Sequence, residues 1–188
     1  TLCLVGSEMC IRDRLLNGPG KPFSIERIED PTPQKGYAVA KVLACGSGLT
    51  IQHVKAGRIT VNYPRIIGHE IIGEIVEING HGGDLEIGTP VTAFFYLTCG
   101  HCRWCNIDRE TLCDNFRGYI GREIDGGYAE YIKLPIENFI KIPEEIDYKN
   151  NLLETAVVCD AVATPLKVIK KARISSFDKV GVIMSLIH

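Results

Sequence analysis

The stretch IIGHEIIGEIVEING, residues Ile66 to Gly80, decides the fold. Its second half alternates, with Gly73, Ile75 and Glu77 on one side and Glu74, Val76 and Ile78 on the other, which is the period of a strand. Glycines interrupt the run where a close backbone approach or a sharp bend is expected. Its first half places His69 and Glu70 beside Gly68 in an otherwise apolar run.

Working outward, YAVAKVLACG (Tyr37 to Gly46) reads as a strand entered by a turn at Gly36, and Phe23 to Ile28 is a shorter strand-like piece. Ser47 is placed to cap a short helical stretch through Lys55. After the turn NGHGGDLEIG come TPVTAFFYL, GGYAEYIKLP and NFIKIP, short strands separated by Gly and Pro. Such a series implies a barrel or sandwich rather than βαβ units. Beyond Asp147, LLETAVVCDAVATPLKVIKKARI carries apolar residues at helical spacing, with Pro165 suited to open a new helix at its first position. DKVGVIM then reads as a buried parallel strand. The expected fold class is mainly β at 15–145, followed at 146–188 by linker helices and the opening of an α/β domain. Residues 1–14, with VGSEMCIRDR in them, and SLIH at residues 185–188 resemble non-native flanking text, so Cys3 and Cys10 receive no role.

The 188 residues are 45% hydrophobic and 23% charged, a balance that fits a packed chain. With 21 Lys and Arg against 23 Asp and Glu the formal charge is −2. No basic run is present, which argues against nucleic acid or an anionic membrane as partner. No apolar stretch approaches the roughly 18 residues of a membrane span. The start, TLCLVGSEMC, lacks a basic n-region and carries Glu8 in its short apolar run, so it does not read as a secretory signal. Reducing cytoplasm is the expected compartment.

Eight cysteines are present, four of them in C-x2-C-x2-C-x7-C at Cys99, Cys102, Cys105 and Cys113. Four thiolates at about 2.3 Å satisfy tetrahedral Zn2+, and short spacings let one loop wrap the ion. A closed set of four leaves no position for substrate, so this zinc is structural. An Fe–S cluster is the competing reading of similar spacings. A second set is dispersed: Cys45 at a strand end, His69 in GHE, and Asp160 beside Cys159 on the predicted helix. Three such ligands leave a fourth position open, as in catalytic zinc. Taken singly each has a plain alternative: Cys45 a small buried hydrophobe, His69 a satisfied core histidine, Asp160 an exposed helix carboxylate.

ACGSG, PRIIGHEIIGEIVEI, TCGHCRWCNIDRETLCDN, GGYAEYIKLP and ETAVVCDAVATPLKVIKKA, followed by DKVGVI, together resemble the medium-chain zinc-containing alcohol dehydrogenase family over residues 15 to 184. The resemblance implies a GroES-like β-barrel catalytic domain with a zinc lobe, followed by the start of a Rossmann domain. It implies one catalytic and one structural zinc, with NAD or NADP as hydride acceptor. Cys45 and His69 fall on two catalytic zinc ligands, and Glu70 on the acid behind the metal. The third ligand points to Asp160, with Cys159 as competitor. Ser47 falls on the hydroxyl that binds the alcohol oxygen and passes its proton outward. Gly48 and Thr50 depart from the family's usual Asp and relay His, and His53 lies off pattern; these departures touch the proton relay and leave the metal ligands in place.

The implied function is interconversion of an alcohol with an aldehyde or ketone, by a homodimer or homotetramer. The alternatives are a medium-chain reductase of an activated double bond, such as an enoyl thioester, with structural zinc only, and a non-enzymatic GroES-like zinc-binding module. G-x-G-x-x-G, which would grip the dinucleotide pyrophosphate, does not occur in the 188 residues. This chain by itself is therefore expected not to transfer hydride. A dehydrogenase assay and an NAD(P) titration check this, and saturable binding with turnover would overturn it.

Overall fold

The run from Ile66 divides at Gly68, where the backbone turns at φ +100°. A computed structural model describes residues 13–181 of the chain. In it Arg65–Ile66 and Ile71–Asn79 are separate strands, β4 and β5, in different sheets. The preceding elements are β1 (Asp13–Leu16), β2 (Phe23–Glu26), β3 (Tyr37–Cys45) and helix α1 (Leu49–Lys55). After β5 come β6 (Pro90–Ala93), β7 (Tyr131–Pro135), β8 (Phe139–Lys141), and helices α2 (Leu152–Ala156) and α3 (Ala163–Ala172). The order is β2-β1-β4 in one sheet and β7-β3-β5-β6-β8 in the other, with every pairing antiparallel. The mainly β architecture expected from the short, glycine-bounded strands is what forms.

Both sheets bury their inner faces in one core. Leu15 and Leu16 of β1 and Ile66 of β4 meet Ala38 and Ala40 of β3, Ile71 and Ile75 of β5, and Ile132 and Leu134 of β7. Leu16, Ile67, Ile71, Ile72 and Ile75 are fully buried, each contributing about 1.5–3 kcal/mol relative to exposure. Strict alternation along β5 does not survive. Opposite Val39 and Ala40 the register jumps from Glu77 to Ile75, leaving Val76 as the extra residue of a bulge. Val76 faces solvent, while Ile75 and Ile78 both face the main core three positions apart. A second bulge, at Leu43, shifts the register between Val42 and Ala44.

Other expectations move by a residue or more. Gly48, extended at φ −84° and ψ −175°, takes the N-cap position of α1, and no side chain caps the first turn, so Ser47 lies one residue outside it. β1 takes in Asp13 and Arg14, which the sequence reading set aside. The Asp13 carboxylate accepts the Glu130 amide at 3.0 Å, and the Arg14 amide donates to the Tyr128 carbonyl at 2.9 Å. Pro165 stands at the third position of α3, because a π-helical turn at Val158–Val162 carries the chain into that helix. Of the expected strand DKVGVIM, residues 178–181 have no regular structure. Residues 182–188, together with Cys3 and Cys10, lie outside the described residues.

Helix α2 joins the sheet through a second, smaller cluster of Ala44, Ile72, Ile142 and Ala156, with Tyr148 and Leu152 against it. The Tyr148 hydroxyl donates to Glu74 Oε1 at 2.6 Å. Burial, together with the acceptor carboxylate, pushes the Tyr148 phenol from 10.0 up to about 12. A phenol proton held more tightly when folded stabilises the fold fully below pH 10.0, and that stability is lost as pH rises to about 12. Tyr148→Phe is expected to cost about 1 kcal/mol at neutral pH and to flatten the alkaline loss, both read by denaturant unfolding across pH.

Candidate functional site

Three backbone hydrogen bonds tie residues 66–68 to residues 126–128. The amides of Gly126, Gly127 and Tyr128 donate to the carbonyls of Ile66, Gly68 and Ile67 at 2.8, 2.9 and 3.0 Å. At Gly126 a Cβ would run into the Gly68 carbonyl oxygen and would lie 2.8 Å from the Gly121 Cα. A Cβ on Gly68 would lie 2.7 Å from the Tyr128 ring and 2.8 Å from Cys45 Sγ. These clearances let the 66–70 segment lie against the end of β3, so that Cys45 at the end of β3 and His69 in the connection before β5 are brought alongside.

His69 and Asp160, 91 residues apart, meet at 3.1 Å from Nε2 to Oδ2. The π-helical turn sets Asp160 facing His69, and Thr164 one turn later donates to its other oxygen at 2.7 Å. Cys159 faces elsewhere: its thiol lies 3.8 Å from the His69 carbonyl and 3.6 Å from that of Ala156. Burial pushes the Cys159 thiol up to about 11. Cys45 is 2% exposed, with Sγ 3.7 Å from the Gly46 carbonyl oxygen. Glu70, 4% exposed, accepts the Ala161 amide at 3.3 Å. Burial raises its carboxyl pKa, His69 and the Ala161 amide act in the opposite direction, and Asp160 raises it further. Ser47 is half-buried two residues after Cys45. His53 lies 3.3 Å from Arg58, Nδ1 to the guanidinium.

The two dispersed donors that touch also fit a zinc ion, because ligands at about 2.0–2.1 Å on a tetrahedron stand roughly 3.3 Å apart. Cys45, at the far side of Gly68, does not close with them. Among the described residues, Cys99, Cys102, Cys105 and Cys113 form the one group of three or more such donors drawn close enough to share an ion, within 4.8 Å of one another. Their Sγ–Sγ separations include 3.5 Å for Cys102–Cys105, 3.5 Å for Cys99–Cys113 and 4.0 Å for Cys102–Cys113. Disulfide sulfurs would stand at about 2.05 Å, whereas edges of a tetrahedral zinc–thiolate site are about 3.8 Å. The loop reaches this shape through 3-10 turns at Cys105–Ile107 and Glu110–Leu112 and a left-handed Asp108 at φ 55°. Amides of the lobe, that of His101 foremost, lower the Cys99 thiol to about 6, while burial raises Cys105 to about 11.

An aromatic wall beside His69 was not anticipated. The Phe95 ring centroid lies 4.9 Å from that of His69, and Tyr96 lies 4.8 Å from Phe95 and 5.0 Å from Tyr119. Burial, then Tyr119 and the charge of Asp160, raise the Tyr96 phenol. The run Phe94-Phe95-Tyr96 carried the signal, but it reads as a strand until its neighbours are known.

Residues 34–144 match the family described as the alcohol dehydrogenase GroES-like domain. The chain is 33% identical over 149 residues to an L-threonine 3-dehydrogenase from Shewanella loihica, covering 72% of this chain and 43% of that protein. It is also 33% identical over 153 residues to an alcohol dehydrogenase from Geobacillus stearothermophilus, covering 80% and 44%. The structure is similar to a cobalt- and zinc-bound thermostable alcohol dehydrogenase from Pyrobaculum aerophilum (TM-score 0.79, 28% identity, 88% of this chain and 49% of that one). The Aeropyrum pernix alcohol dehydrogenase gives a TM-score of 0.77 at 29% identity, over 86% and 48%. This chain belongs to the alcohol dehydrogenase GroES-like domain family. It spans a little under half the length of these curated relatives.

Because Gly126 has no room for a side chain, Gly126→Ala is expected to cost about 2 kcal/mol or more, measured by denaturant unfolding. The His69 ring resonances should shift with it, since the bonds that carry His69 are the ones displaced.

Proposed function

We propose that the chain is the metal- and substrate-holding part of a zinc-dependent oxidoreductase that interconverts an alcohol and an aldehyde or ketone with NAD or NADP. The observation that carries this reading is the meeting of the His69 ring and Asp160 across 91 residues, with the Cys159 thiol directed at the His69 backbone carbonyl and not at its ring. In this reading residues 15–145 are the catalytic domain and 146–188 lead into the dinucleotide-binding domain. The relatives named as alcohol and threonine dehydrogenases support the same chemistry.

Cys45, His69 and Asp160 would hold the catalytic zinc, and Cys99, Cys102, Cys105 and Cys113 the structural one. Thiolate and carboxylate together carry two negative charges, matching a divalent cation. A zinc ion held there would supply Lewis acidity towards an alcohol oxygen. Ser47 receives the alcohol proton and hands it towards solvent. Glu70 stands behind His69, buried and tied to Ala161. Phe95 and Tyr96 exclude water beside the alkyl part of the substrate.

The reading extends to a small-molecule alcohol or carbonyl partner, a cytoplasmic location and a homodimeric or homotetrameric whole protein. No helix among the described residues is long and apolar enough to cross a membrane. The approach of Asp160 to the His69 ring, apart from the cysteine lobe, favours this reading over a reductase with structural zinc alone, which predicts one ion.

Elemental analysis of the reduced chain is expected to give two zinc ions. Asp160→Asn should lose one and Cys159→Ala none, whereas Cys102→Ser should loosen the lobe without removing the zinc of the open site. One zinc in the unmodified chain, or loss with Cys159→Ala in place of Asp160→Asn, would overturn the assignment.

A further inference from the structure

Asn138 is 3% exposed, in the 3-10 turn Ile136–Asn138 that joins β7 to β8. Its side-chain amide makes no contact with His69, Asp160 or the cysteine lobe among the hydrogen bonds of the described residues. Both of its bonds go to backbone: Nδ2 donates to the carbonyl of Phe94 at 2.6 Å and to that of Tyr96 at 2.9 Å. The Asn138 carbonyl in turn accepts the Phe94 amide at 2.8 Å. The β6–β8 ladder ends at Ala93 opposite Phe139, so these bonds hold the chain after the sheet has released it.

The residue between the two gripped carbonyls is Phe95. Its own carbonyl accepts the Ile120 amide at 3.0 Å, from the opposite strip of chain. The peptide plane before Phe95 is therefore fixed by Asn138 and the plane after it by Ile120. A residue has only two soft backbone dihedrals, so fixing both planes fixes the direction in which its side chain leaves the backbone. That direction carries the ring to 4.9 Å from His69. The task requires two N–H donors on a short, buried stem, which Asn has and a carboxylate lacks.

We infer that Asn138 is a positioning residue: by gripping the Phe94 and Tyr96 carbonyls it aims the Phe95 ring at His69, and so sets the apolar wall against which the alkyl part of an alcohol or carbonyl substrate packs. The substrate clause rests on the proposed function; the aiming of Phe95 at His69 does not.

The test is proton NMR of the zinc-loaded chain, reading the His69 Cε1 proton. The ring-current contribution of Phe95 is the difference between the unmodified chain and Phe95→Leu. Asn138→Ala removes the donors with the side chain, and Asn138→Asp removes them at constant shape. Each is expected to lose most of that ring-current contribution while its amide spectrum stays dispersed. A contribution kept in full by either variant overturns the inference, and so does loss of the overall fold in both. If one of them alone folds, its His69 shift decides. Failure of the proposed function shows separately, as a zinc content of one in the unmodified chain.

Discussion

The three hydrogen bonds between residues 66–68 and residues 126–128 hold two glycine-containing segments closer than side chains would allow. The segment that carries His69 and Glu70 is hung on that contact. It lies between β4 and β5 and leaves the side chains of His69 and Glu70 buried in the segment that joins them. Buried polar groups are costly unless satisfied, and here the partners arrive from outside the sheets: Asp160 for His69, and the Ala161 amide for Glu70. The helical segment is therefore drawn to the sheet by polar need as well as by the apolar cluster around Ile72 and Ala156.

Much of this was legible in the chain text, for separable reasons. The cysteine lobe could be read because metal geometry demands short spacings, and the structure gathers those four thiols. Strand positions could be read because β-branched runs bounded by Gly and Pro leave few alternatives. Alternation failed at Val76, since a bulge is set by pairing with β3 and leaves no mark in β5 alone. Ser47 is a good capping residue by type, yet the cap belongs to Gly48, whose extended backbone the turn after Cys45 requires. Asp160 over Cys159 was implied by the family resemblance, and the structure brings Asp160 to His69. Phe95 and Asn138 could not be read, because their significance lies in a contact between distant loops.

The aromatic segment and the cysteine lobe form one continuous strip of chain. Residues 94–97 run out of β6, are gripped by Asn138 on one side and by residues 117–120 on the other, and enter the lobe at Cys99. Order in the lobe and order beside His69 are thus linked by a few residues of extended backbone. A closed metal site can tighten the wall of an open one through that connection.

The π-helical turn at Val158–Val162 is a helix carrying one residue more than regular geometry needs. Removing one residue from it would restore the regular α-helical spacing between α2 and α3. Each residue of an α-helix advances by about 100°, so such a deletion would rotate the residues after it relative to those before it. Asp160 would swing off His69 while the helix itself remained intact.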